Sequence, residues 1–301
     1  ETVNYDIPNM RDYYTHIKGN GEDKVTLMVY MVGSDLESDG GAASEDIAEM
    51  AAANADNINI TLQTGGAAAW ENASISDGKT ERHIIKNGEL QNVENLGETQ
   101  MTSPNTLTDF IKWSASNYPA DRYELVLWNH GGGTALGFGY DEMYPDDMLS
   151  LSQIGNALSD SGIKFDIVGF DACLMGTIET AYMLEPYADY LVASEEYEPG
   201  TGWYYSEWLK NLSDNTSMST VEIGKKIVED YINGPDSSFF DSNTLSIVDL
   251  REIPYTYSKL CEIMQQEEGV LDSRYSVISQ ARYNAKSFGD GEYEQIDIKS
   301  Y

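Results

Sequence analysis

Two cysteines and three histidines among 301 residues are too few for a disulfide scaffold, and no CxxC or Cys/His cluster has zinc-ligand spacing. Cationic residues are scarce as well, with 18 Lys and Arg against 51 Asp and Glu and a formal charge of −33. A chain of this charge repels the phosphates of nucleic acids and the anionic headgroups of membrane surfaces, so neither is an expected partner. No apolar run approaches the roughly 18 residues of a membrane-spanning helix. The chain opens at Glu1 with no charged segment leading into an apolar one, so it is expected to be a mature or trimmed piece of something longer. Surplus acid keeps a protein soluble and monomeric, which points to a monomer in a secreted or cell-surface setting.

What is present is a globular composition, 41% hydrophobic and 11% aromatic, long enough for one large α/β domain or for two. Residues 25–32, VTLMVYMV, are an apolar run of strand length and β-forming composition. Further strands are expected over 59–64, 123–128, 165–170, 190–193 and 245–248, and Asn87-Gly88 joins 81–86 to 89–93 in a hairpin. Helices are expected from Ser103-Pro104 onward and over 151–161, 174–185 and 219–233, the last opened by a capping box on Ser219 and Glu222. Apolar strands alternating with helices predict a mostly parallel sheet covered on both faces. Residues 252–291 read as helical, with a strand starting at 295. The expected division is a domain over 1–251 and a helical extension over 252–301 packed on it, continuing past the chain end.

In an open parallel sheet, chemistry gathers beyond the carboxyl ends of the strands. The strand 123–128 runs into Asn129-His130-Gly131-Gly132-Gly133, and 165–170 runs into Asp171-Ala172-Cys173. If these strands are neighbours, an imidazole and a thiol leave the same sheet edge together. Cys173 would sit at the start of the helix 174–185, whose N-terminus lowers a thiol pKa. His130 would serve as acid and base, and the amides of Gly131 and Cys173 would bind an oxyanion.

The blocks YMVGSDLE at 30–37, LVLWNHGGG at 125–133, DIVGFDACLMGTIETAYML at 166–184 and YLVASEEYEPGTGWYY at 190–205 resemble clostripain-family cysteine peptidases, relatives of caspases, gingipains and legumains. The resemblance implies a caspase-like α-β-α sandwich, a dyad at His130 and Cys173, and cleavage of peptides or proteins after Arg or Lys through a thioester. It implies S1 residues at Asp171 and at Thr201, where basic-specific relatives carry a second acid. Residues 131–209 hold fourteen acids against Lys164 alone, a field that favours a basic P1. Relatives are often cut between the His and Cys segments, but 134–150 contains no Lys or Arg. Some relatives bind calcium; here Asp35, Glu37, Asp39, Asp141, Glu142, Asp146 and Asp147 lack EF-hand spacing and read as a solvated acidic face, so no cofactor is expected.

Other residues read as structural. Cys261 shares a helix face with Tyr257, Leu260 and Met264 and is expected to pack, His16 and His83 to lie on the surface, and Trp203, Tyr204, Tyr205 and Trp208 to be core. Asp171 could equally cap a turn. Two other functions use the same residues: an inactive peptidase-like binding module, and a transpeptidase or amidase that resolves the thioester with an amine.

Overall fold

A computed structural model describes residues 14–234, 243–267, 271–289 and 294–297. β1 (Val25–Val32) lies at the centre of its sheet and is buried along its whole length. Val25, Leu27, Val29 and Met31 face one core and Met28, Tyr30 and Val32 the other, which is why the strand reads as an unbroken apolar run. It pairs in parallel with β2 (Asn59–Gly65) and β5 (Arg122–Trp128), and β6 (Phe165–Asp171) and β7 (Ala188–Ala193) follow in parallel. Antiparallel β3 (Thr80–Lys86) and β4 (Glu89–Gly97) close one edge and β8 (Ser246–Asp249) the other, giving the order β4-β3-β2-β1-β5-β6-β7-β8.

Helices α2 (Ala42–Ala52), α7 (Ser206–Asp214) and α8 (Thr220–Asn233) cover one face, and α3 (Pro104–Asn117), α5 (Leu151–Ser161) and α6 (Ile178–Leu184) the other. The expected α-β-α sandwich with a mostly parallel sheet is therefore present. Two short helices, α1 (Ser34–Ser38) and α4 (Gly133–Leu136), follow the carboxyl ends of β1 and β5. Beyond β8 come α9 (Ile253–Glu267) and α10 (Leu271–Asn284), then β9 (Ser287–Phe288) paired antiparallel with β10 (Gln295–Ile296). Tyr257 of α9 stacks on Tyr182 of α6 at 4.2 Å between ring centroids. The expected strand from 295 runs for two residues, and 298–301 lie outside the described residues.

At the amino ends of β5 and β6 the fold buries charge. Arg122 is fully buried; its Nε donates to Asp166 Oδ2 at 2.6 Å, and its other nitrogens donate to Thr216 O, Met218 O and Thr220 Oγ1. One guanidinium thus ties two strands to the connection between α7 and α8.

Three local readings change. His83 is buried, not exposed, and its Nε2 is hydrogen-bonded to Thr64 Oγ1 at 2.9 Å; Ile85, two residues on, packs on the same side against the core. Ser219 is the N-cap of α8, but its side chain makes no capping bond. Cys261 is half-buried and Met264 is exposed, so their helix face is only partly covered.

Glu124, on β5 beside this charge cluster, has a buried Oε1 with no hydrogen-bond partner. Burial pushes its carboxyl up from 4.5 to about 8, against the pull of Arg122. An acid raised in the fold holds its proton more tightly than the unfolded chain does, so its stabilisation is present at acid pH and is lost as pH rises through about 8. In urea unfolding, Glu124→Gln is expected to gain on the wild type by on the order of 2–4 kcal/mol between pH 5 and pH 8. A pH-independent difference would contradict the burial of an unpartnered acid here.

Candidate active site

The two candidate loops leave adjacent strands in register, Trp128 opposite Asp171, and the Asn129 amide donates across to Asp171 O at 3.2 Å. His130 and Cys173 therefore lie at equivalent positions past neighbouring strand ends. A Cβ on Gly131 would stand 2.0 Å from Cys173 O, so the loops touch at a point where only glycine fits. Asn129 fixes this end of the sheet: its Nδ2 donates to Val32 O at 2.5 Å and Ser34 Oγ at 2.8 Å, and its Oδ1 accepts from the Tyr140 amide at 2.5 Å. Leu174 takes a left-handed conformation, φ +63°, which costs a non-glycine residue roughly 1 kcal/mol or more. It is held by its amide to Glu196 O and by Gln295, whose Nε2 donates to Leu174 O at 2.9 Å while lying over Gly133.

His130 is partly exposed and its Nε2 is 2.8 Å from Asp35 Oδ1. Burial works to raise the Asp35 carboxyl, but the hydrogen bond and charge of His130 hold it below the usual carboxylate range. Asp35, read as part of a solvated acidic face, is half-exposed and pairs with the imidazole. The rule that led to β5 and β6 also points to it, because β1 is the neighbour of β5 and ends at Val32.

Cys173 differs from expectation. Helix α6 does not begin until Ile178, after the cap Thr177, so no helix terminus acts on the thiol. Burial pushes the thiol up, with the Glu198 amide pulling the other way. That amide donates to Sγ at 3.3 Å.

Asp171 is buried beneath the loop that follows β7. Its Oδ1 and Oδ2 accept from the Trp203 amide at 3.1 and 3.2 Å, and Oδ2 also accepts from Tyr205 Oη at 2.7 Å. Burial lifts the carboxyl to about 6 against those bonds. Gly202, at φ +58°, passes so close that a Cβ would meet Oδ1 at 2.7 Å. Thr201 is exposed at the mouth of a cleft lined by Asp46, Glu49, Gly202, Trp203 and Tyr231. Trp203, Tyr205 and Trp208 are buried as expected, while Tyr204 is half-buried.

Of the acids read as solvated, Glu37 and Asp141 are buried, and they accept backbone N–H bonds from Ser44, Glu71, Met101 and Met143. Among the described residues no group of three or more His, Cys, Asp or Glu is placed to hold a metal ion, and no helix is long and apolar enough to cross a membrane.

Clostripain from Hathewaya histolytica is 31% identical over an alignment 225 positions long that covers 62% of this chain and 42% of that protein. The chain thus spans less than half the length of that relative. A secreted C11 cysteine protease from Bacteroides thetaiotaomicron, solved with an irreversible peptide inhibitor, superposes with a TM-score of 0.62 at 22% identity, over 76% of this chain and 67% of that one. An inactive zymogen C11 protease from Parabacteroides distasonis gives 0.58 at 23% identity over 76% and 62%. Both share the fold. The profile of the clostripain family, peptidase family C11, matches residues 29–296, and the chain belongs to that family.

Proposed function

We propose that this chain is a cysteine endopeptidase in which Cys173 is the nucleophile and His130 the acid and base. The observation that carries the reading is the contact between the loops of β5 and β6, with Asp35 bonded to the imidazole from β1. Because burial raises the thiol, Cys173 rests protonated, and His130 takes that proton as sulfur attacks the scissile carbonyl. The amides of Gly131 and Cys173 receive the oxyanion. Collapse breaks the C–N bond, and His130 gives its proton to the leaving amine. Water then attacks the thioester, losing a proton to His130, and the acid leaves as the thiol re-forms. Asp35 holds the ring and compensates its charge in both halves.

The substrate is a peptide or protein with Arg or Lys at P1. The acids of the cleft, Asp46 and Glu49 with Asp171 beneath them, support this, and Thr201 leaves the mouth neutral. The acid surplus, and the secreted Bacteroides relative, support action outside the cell.

On a reporter peptide with Arg at P1, Cys173→Ala and His130→Ala are each expected to lose at least ~10³-fold in kcat/KM with unchanged circular dichroism. Near wild-type turnover by Cys173→Ala would end the mechanism. Asp35→Asn is expected to lower kcat about tenfold with KM little changed, since the pair is partly exposed; a loss carried by KM alone would remove Asp35 from the chemistry. With no basic residue in 134–150, the wild type is expected to stay intact across that loop by mass spectrometry while cleaving added basic peptides. A self-made cut there would contradict the basic specificity and leave the dyad standing.

A further inference from the structure

The acids around the cleft differ in what their oxygens already hold. Asp46 accepts from Trp128 Nε1 at 2.6 Å, Glu49 from the Tyr205 amide at 2.8 Å, and Asp171 from the Trp203 amide and Tyr205 Oη. Glu198 is different: both of its carboxyl oxygens are buried and no group donates to them in good hydrogen-bond geometry, while the Asp171 carboxyl and the Trp203 side chain act on them directly. Burying a carboxyl without a donor is costly, and a bound group that donates to it would recover that cost.

The surroundings indicate what that is. The Glu198 backbone is fixed to the nucleophile through its N–H to Cys173 Sγ at 3.3 Å, and the next residue, Pro199, lines the cleft. Tyr231 forms another part of the cleft wall, and its hydroxyl is also buried without a partner. Of the charges that act on that hydroxyl, Glu198 acts most strongly, ahead of Asp171 and Cys173. A neutral guest would leave two neighbouring acids repelling each other, whereas a cation relieves both.

We propose that Glu198 is the specificity-determining residue of this cleft: its carboxylate receives the guanidinium or ammonium of a P1 Arg or Lys, while Asp171 anchors the loop over residues 199–205. The assignment rests on the basic-P1 reading above. It gives Asp171 a positioning role, because its oxygens are already engaged by that loop.

The test uses the purified chain and reporter amides that differ only at P1, carrying Arg, Lys or Gln. Glu198→Gln keeps shape and removes charge, and is expected to lower the Arg-to-Gln ratio of kcat/KM by roughly ten- to hundredfold. Asp171→Asn is expected to slow all three substrates alike. If Glu198→Gln does not fold, Glu198→Asp retracts the charge by one methylene and is expected to raise the Arg-to-Lys ratio several-fold, since the longer side chain still reaches; an unchanged ratio overturns the assignment. A basic-specific wild type whose Arg-to-Gln ratio is unmoved by Glu198→Gln also overturns it, and leaves the basic-P1 reading in place. A wild type that cleaves after Gln as readily as after Arg removes that reading, and this assignment with it.

Discussion

The pairing of β5 with β6 is the constraint on which the site depends. Two parallel strands in register, Trp128 against Asp171, deliver their following loops to one place, and the rest of the site accommodates that crowding. Gly131 is glycine because Cys173 O occupies the space of a side chain, Leu174 bends left-handed to turn away, and Asn129 spends its amide on holding β1, β5 and Tyr140 together. At the opposite end of the same two strands, Arg122 and Asp166 form a buried pair that anchors the register. Removing one partner of such a pair exposes the full cost of burying the other.

A second theme is buried acid. Asp46, on the cleft wall, and Asp171 and Glu198 behind it act on one another in sequence, each raised first by burial, and Glu124 is raised at the far end of the sheet. Burial of acid without matching cations costs stability. At Glu124 nothing beyond Arg122 offsets it, whereas beside the cleft several such acids lie together. Polar groups kept against the interest of stability are where function is to be sought.

The fold was largely legible in the sequence because its strands are buried on both faces, so VTLMVYMV and FDIVGFD read as strands without tertiary knowledge. His130 and Cys173 were legible because they follow those runs directly. The start of α6 was not: the turn through Gly176 continues the helical spacing of apolar residues, and only the Thr177 cap sets the boundary. His83 looked exposed because alternation in β3 was read as one open face, while both faces of that part of the strand are covered. Asp35 and Glu198 stand in conspicuous segments, yet their contacts with His130 and Cys173 are made across 95 and 25 residues of sequence, which spacing does not reveal.

Gln295 carries one further implication. Its side chain bridges the Cys173 loop and the Gly133 turn, across 121 residues from Leu174. A chain synthesised from its N-terminus has made every other described part of the site well before this residue emerges. The strained backbone beside Cys173 therefore lacks this clasp through most of synthesis, and the site reaches its final form only when the last described strand docks.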